Sequence, residues 1–382
     1  MRKGWEYKRF DEVFDLQMGK TPDRKNPEYF GGNNVWVSIR DLGDKEIADS
    51  NEHITDLAVS NSNIRKVKKG TVIMSFKLTV GKCGIAATDL YTNEAIMAFN
   101  TKESFDINSS FLYYYLLCYH WVGSNKAVMG ITLNKATISK QYISIPPKST
   151  QLSIVSELDK INELIRLKKE QLKDFDNLAQ SLFYEMFGDP VEKEKGWEVK
   201  KLGEVGELAR GVSKHRPRNA PELLGGSMPL IQTGDVANSD FYITKYSSTY
   251  SKLGVEQSRV WEAGTLCITI AATIGKCAIL GFTACFPDSV VGYKPNNEAN
   301  AIYMYFIFKN MQKMLEEFAP GVAQKNINLK ILSNLSFPLP PLSLQRLFAQ
   351  RIEQIEREKS EVQKSIQDLE TLLASRMQYW FE

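Results

Sequence analysis

Short apolar runs alternate with longer aromatic ones along this chain, and two stretches keep a seven-residue beat. The runs VWVSIRDL (Val35 to Leu42), GTVIMSFKL (Gly70 to Leu78), MPLIQTGDV (Met228 to Val236) and GTLCITIAA (Gly264 to Ala272) are apolar or β-branched and bounded by Gly, Asn and Asp, which predicts strands. SSFLYYYLLCYHWV (from Ser109) and NAIYMYFIFKNMQKMLEEF (from Asn300) are longer and rich in aromatics, and predict helices packed on a sheet. The beat begins after Pro146-Pro147 and again after Pro340-Pro341. Proline ends the element before it and is tolerated at a helix start, and Ser149-Thr150 can cap the first of these helices.

With Leu158 as position a, the a and d positions are Ile154, Leu158, Ile161, Ile165, Lys168, Leu172, Phe175, Ala179, Leu182 and Met186. In the second stretch they are Phe348, Ile352, Ile355, Lys359, Val362, Ile366, Leu369, Leu373, Arg376 and Trp380, and seventeen of the twenty are apolar. This is a coiled-coil seam written twice, with Glu163, Arg166, Lys169, Glu356 and Arg357 expected on the outside. The competing arrangement packs each amphipathic helix on its own domain. A helix of about 39 residues runs roughly 58 Å, however, longer than a domain of about 145 residues is wide. An antiparallel pair would relate two units by a pseudo-twofold axis, with a globular domain at each end of a helical rod.

The duplication extends beyond the helices. Laid on Gly196 to Gly211, the stretch Gly4 to Gly19 matches at eight of sixteen positions, where chance gives roughly one. Beyond that the spacing is 194: Gly31-Gly32 falls on Gly225-Gly226, Asp41 on Asp235, Gly70-Thr71 on Gly264-Thr265, TVGKCGIA on TIGKCAIL, and Gln151 on Gln345. The shift from 192 to 194 places two extra residues between Gly211 and Gly225. The reading is an α+β fold occurring twice, with globular domains at 1–145 and 189–339 and helical segments at 146–188 and 340–382.

Composition narrows the classes. A hydrophobic content of 43% supports folded cores, and a net charge of +3 confines any basic surface to local patches. The five cysteines form no CxxC pair and read as reduced, buried thiols. No apolar run approaches the ~18 residues of a membrane span and the charged N-terminus lacks an apolar leader core, so a cytoplasmic protein with no membrane partner is expected. Catalytic patterns are absent. The Gly-Lys steps at Gly19, Gly81 and Gly275 lack the glycine five residues earlier that a phosphate loop needs, there is no GxGxxG, and His53, His120 and His215 have no equivalents between copies. NPEYF (Asn26 to Phe30) has Glu28 where an adenine methyltransferase motif has proline, so the chain is expected to be no enzyme.

Two loops carry candidate chemistry. ARGVSKHRPRNAPELLGG holds Arg210, Lys214, His215, Arg216 and Arg218, and its counterpart QMGKTPDRKNPEYFGG holds Lys20, Thr21, Arg24 and Lys25. Basic, Pro- and Gly-punctuated loops attached to strands can offer Arg and Lys to phosphates and guanine edges; a solvated surface loop is the other reading. Arg40 and Gln232, on the strand-like runs, join the DNA-contact candidates, as do Asn134 and Lys135 in GITLNKATISK and Gln324, Lys325 and Asn326 in GVAQKNINLK. A helix cap and turn is the alternative for those polar stretches. Lys82 and Lys276 recur in both copies and suit a shared job, phosphate contact or turn formation, whereas residues that differ between copies are the better sequence readers.

Together GWEYKRFDEV, GKTP (Gly19 to Pro22), EYFGGNNVWVSIRDL, TIGKCAI and PPLSLQRLFAQRI (Pro340 to Ile352), in this order and mostly twice, resemble the specificity subunit of a type I restriction-modification system. The resemblance implies two target-recognition domains alternating with two helical spacers, each domain reading one half of a split, asymmetric double-stranded DNA target across a gap set by antiparallel helices. It implies no catalytic centre, metal or cofactor in this chain. Two modification subunits that bind S-adenosylmethionine and methylate adenine are the implied partners, with restriction and translocase subunits in the full complex. The second copy departs from the pattern, with Ser213-Lys214 where the first has Thr21-Pro22.

Overall fold

The computed structural model describes residues 2, 4–122, 125–127, 130–215, 217–271, 274–317 and 327–382. The chain divides into two compact units, Met1–Lys169 with Lys364–Glu382, and Glu170–Gln363.

The first unit is built on a five-stranded sheet in the order Phe14–Met18, Ile96–Thr101, Val72–Ser75, Cys83–Ala86, Glu46–Ile47, antiparallel except for the last pair. Strands Val72–Ser75 and Cys83–Ala86 are buried throughout, which is why they read as continuous apolar runs. Helix α1 (Ser109–Cys118) covers one face with Phe111, Leu112, Tyr114, Tyr115 and Leu116. Beside this sheet Phe30–Val37 pairs with His53–Ile54 and Tyr91–Thr92. The register jumps between Phe30 and Asn34, and the glycine pair explains the jump. Gly31 takes φ +80°, and a Cβ on Gly32 would lie 2.3 Å from the Ile54 carbonyl oxygen.

The second unit repeats this. Its sheet runs Gly206–Arg210, Val290–Pro295, Leu266–Thr269, Cys277–Leu280, Tyr242–Ile243, again with only the last pair parallel. Gly225-Gly226 makes the same bulge against Tyr250. The run MPLIQTGDV is only half strand: Leu224–Leu230 ends before a short helix, Thr233–Ala237. Asp235 causes the change, accepting the Gln232 N–H at 2.8 Å and the Ser247 N–H at 3.2 Å, and Asp41 does the same for Ser38 and Asn51.

Two 40-residue helices, α2 (Lys148–Phe187) and α4 (Leu342–Phe381), contribute to both units, and α3 (Ala301–Glu317) covers the second sheet. Within the first unit Ile154 and Leu158 enter the domain core with Leu373, Met377 and Trp380, while Glu157 takes Arg376 and Lys169 takes Glu370 at 2.9 Å. As α2 advances α4 recedes, so the segments are antiparallel. In the second unit Ala179, Phe183 and Phe187 pack with Phe348 and Ile352 beneath α3. All twenty seam positions are buried or half-buried. The helix ends therefore pack on each other and on their domain at once, uniting the two arrangements that the sequence left in competition.

Glu356 corrects the expected outer face. Lys359 occupies an a position at 6% exposure, bonded to Asp176 at 2.8 Å and Glu356 at 3.1 Å, which draws Glu356 inward. Burial pushes the Glu356 carboxyl above the usual carboxylate range, with Lys359 opposing the shift. Burial works to lower the Lys359 ammonium, yet its two carboxylate partners hold it above the ordinary lysine value.

The repeated Gly-Trp-Glu is framework. The Trp197 indole donates to the carbonyl of Phe187, the last residue of α2, at 3.2 Å, and Trp5 packs against the first core beneath Arg2. All five cysteines are free thiols, and burial pushes them up, Cys118 to about 11 and Cys277 to about 12.

Candidate nucleic-acid interface

In the first unit the basic loop leaves strand Phe14–Met18 at Gly19, whose amide donates to Ile96 O, and returns through a turn at Pro27–Tyr29 capped by Asn26. The Trp36 indole donates to Lys20 O at 3.2 Å, fixing the backbone while the Lys20 side chain is exposed. Thr21 donates to Glu94. Arg24 lies over the rings of Phe30 (4.8 Å) and Trp36 (4.9 Å), and its two terminal nitrogens bond the two Glu52 oxygens at 2.6 and 2.9 Å. That bidentate bond raises the Arg24 pKa and lowers that of Glu52, to which Arg40 adds a favourable charge. Burial works to raise the Glu94 carboxyl, but Thr21, Lys77 and Arg24 leave it below the usual range. Lys20, Thr21, Arg24, Lys25 and Arg40 thus share one neighbourhood, with Lys25 exposed.

The second loop is pinned differently. The backbone amides of Lys214 and His215 both donate to Gln257 Oε1, at 2.6 and 3.0 Å. Arg218 donates to Asp288 at 2.8 Å. Arg218 and Gln232 line a cavity of about 180 Å3 with Asn219, Ser248 and Ser289 over a floor of Leu224, Leu230 and Tyr250. Arg216, Gln324, Lys325 and Asn326 lie outside the described residues.

Lys82 and Lys276 occupy matched hairpins. Ser75 N–H donates to Lys82 O at 2.8 Å and Thr269 N–H to Lys276 O at 2.9 Å, so both backbones form the turn. Lys82 and Lys276 are both exposed, and Lys276 also lines a separate cavity of about 260 Å3 with Asp176, Tyr305, Lys309 and Lys359, apart from the Arg218 group. Between Lys77 and Lys82, Leu78 is 76% exposed at φ +61°, a conformation uncommon for leucine. Asn134 caps the short helix Lys135–Ser139, its Oδ1 accepting from Thr137 at 2.8 Å, and Lys135 is exposed. Asn328 caps Leu329–Ser333 in the same way. The counterpart of Asn134 is therefore Asn328, a shared framework position.

Sequence reasoning missed the carboxylates. Glu94 and Asp288 stand at the 194 spacing, both acidic, and that signal was available. Glu52 was not legible, because its counterpart in the second unit, Ser248, falls at a spacing of 196 beyond further slippage.

A family model for the type I restriction modification DNA specificity domain matches residues 2–174 and again 194–371. The chain belongs to this family. The MjaIX specificity subunit of Methanocaldococcus jannaschii is 24% identical, over 91% of this chain and 85% of its own. A chain from a structure on complex assembly and conformational transition of the type I restriction-modification system superimposes with a TM-score of 0.66 at 18% identity, covering 100% of this chain and 98% of that one. The M. genitalium specificity subunit gives a TM-score of 0.54 at 14% identity, covering 98% and 95%. The specificity-domain fold is thus present twice, and it is the loops on matched sheets that differ. No described helix is long and apolar enough to cross a membrane.

Proposed function

We propose that this specificity subunit reads a split, asymmetric double-stranded DNA target, one half through each recognition domain. What carries the reading is a duplicated frame with unlike loops: Asp41 and Asp235, Gln151 and Gln345, and both glycine pairs do the same work in each unit, whereas the basic loops are held by different partners. Like frames place their loops alike on DNA, and unlike loops select different bases. Good bidentate base contacts contribute about 1–3 kcal/mol each to discrimination, and exposed lysines add salt-dependent affinity.

The chemistry is assigned to partners. Two methyltransferase subunits would bind S-adenosylmethionine and rotate the target adenine out of the stack, which requires the duplex to be gripped, and restriction subunits would join the full complex. This chain would hold no cofactor and act in the cytoplasm. The 40-residue helices, each about 60 Å long, would set the unread spacer. Mapping genomic N6-methyladenine with and without the gene tests the reading. The expected result is one bipartite motif that disappears with the gene; an unchanged map refutes it.

A further inference from the structure

Arg24 and Arg218 are structural equivalents, each three residues before the proline that opens the turn at Pro27–Tyr29 or Pro221–Leu223. Glu94 and Asp288 are equivalent too, each two residues before the strand at Ile96 or Val290. Glu52 corresponds to Ser248, since His53 pairs with Val35 as Thr249 pairs with Pro229. With one frame and one arginine, the partners nevertheless differ. Arg24 turns to Glu52 and lies on Phe30 and Trp36, whereas Arg218, having Ser248 in place of that glutamate and Leu224 and Leu230 in place of the rings, turns to Asp288 beside the 180 Å3 cavity.

We propose, resting on the DNA-reading function above, that Glu52 and Asp288 are specificity-determining positioning residues, each fixing where its arginine meets a base edge. A guanidinium has five N–H donors in a fixed fork. Glu52 takes the end edge of Arg24 through both terminal nitrogens, which leaves the side edge, with the ε nitrogen, for a guanine's O6 and N7. An arginine neutralised by a bidentate carboxylate is a weak phosphate anchor, because it releases few counterions, but it keeps its directional donors. Contact with two rings set nearly at right angles restrains the fork and lowers the ordering cost that a free arginine meets on binding. Arg218 is held more simply, by one bond from a terminal nitrogen to Asp288, and a guanidinium turned to that carboxylate rather than to the Ser248 side would meet a different part of its half-site.

The test uses the complex of the full chain with its methyltransferase subunits, genomic methylation maps, and binding to duplexes carrying the wild-type motif at graded salt. Glu52→Gln is expected to relax one guanine-containing position in one half-site by about two- to tenfold, the effect of freeing one side chain. It should also steepen the log–log salt dependence by about one as Arg24 is released towards phosphate. Ser248→Glu is expected to draw Arg218 from Asp288 and alter only the other half. Continued reading of the untouched half shows that each variant is folded and assembled. If Glu52→Gln leaves both motif and salt slope unchanged, or weakens all positions equally, the proposal is overturned. A wild-type gene that yields no motif would instead overturn the DNA-reading function itself.

Discussion

Replacing Gln345 by leucine keeps the bulk of a fully buried side chain but removes three hydrogen bonds at once. Its Oε1 accepts the Asn300 N–H at 2.9 Å, and its Nε2 donates to the carbonyls of Glu298 (3.0 Å) and Pro340 (2.8 Å). Gln151 makes the matching set with Asn108, Asp106 and Pro146. Only this amide orientation satisfies all three backbone groups, and it ties the start of each long helix to the loop that launches the domain's covering helix. Leaving one such group unpaired costs about 1–3 kcal/mol, and three neighbours sharing a site add less than independently, so about 3–5 kcal/mol is expected. In a unit of about 190 residues that lowers the melting temperature by about 6–20 °C. Differential scanning calorimetry of Gln345→Leu and Gln151→Leu should assign one transition to each unit, with faster amide exchange at Asn300 or Asn108. A loss below about 1 kcal/mol would refute the linchpin role. Gln345→Glu sharpens the test: a carboxylate facing two carbonyl oxygens has a raised folded pKa, so its contribution is full below the unfolded value and lost as pH rises.

Lys359→Met should cost about 2–3 kcal/mol, since Glu356 loses the cation offsetting its burial. Because the Glu356 pKa is raised in the folded state, the deficit should grow as pH rises above the ordinary carboxylate range and shrink in Lys359→Met with Glu356→Gln; urea unfolding in acid and at neutral pH checks it, and a pH-independent deficit counts against it. Deleting one heptad from α2 and its facing heptad from α4 should shorten the unmethylated gap by about three base pairs, from about 10 Å of lost helix, and an unchanged gap would sink the spacer role. Arg218→Ala should alter the methylated motif in one half only, whereas equal weakening of both halves in the methylation map would make Arg218 a phosphate contact.

One physical distinction separates the features that the sequence disclosed from those it hid. Duplication, heptads and glycine pairs are legible because each rests on a local rule: a seam every 3.5 residues, a bulge only glycine can turn, a capping Asn or Asp bonding two or three residues on. The seam survived its charged exceptions because Lys359 brings its own carboxylates. Loop contents obey no such rule. Whether Arg24 meets Glu52 or Glu94 depends on a strand 28 residues away in sequence, on Trp36 as the surface beneath it, and on a spacing that slips from 194 to 196 between the copies. Basic charge marked both loops, but charge alone names neither the edge an arginine presents nor its target. That choice lies with carboxylates, which a search for DNA-binding residues passes over because their sign is wrong for DNA. In a recognition domain whose frame is fixed, changing Glu52 to the Ser248 arrangement moves an arginine without altering it, so half-site preference can change while every basic residue stays in place.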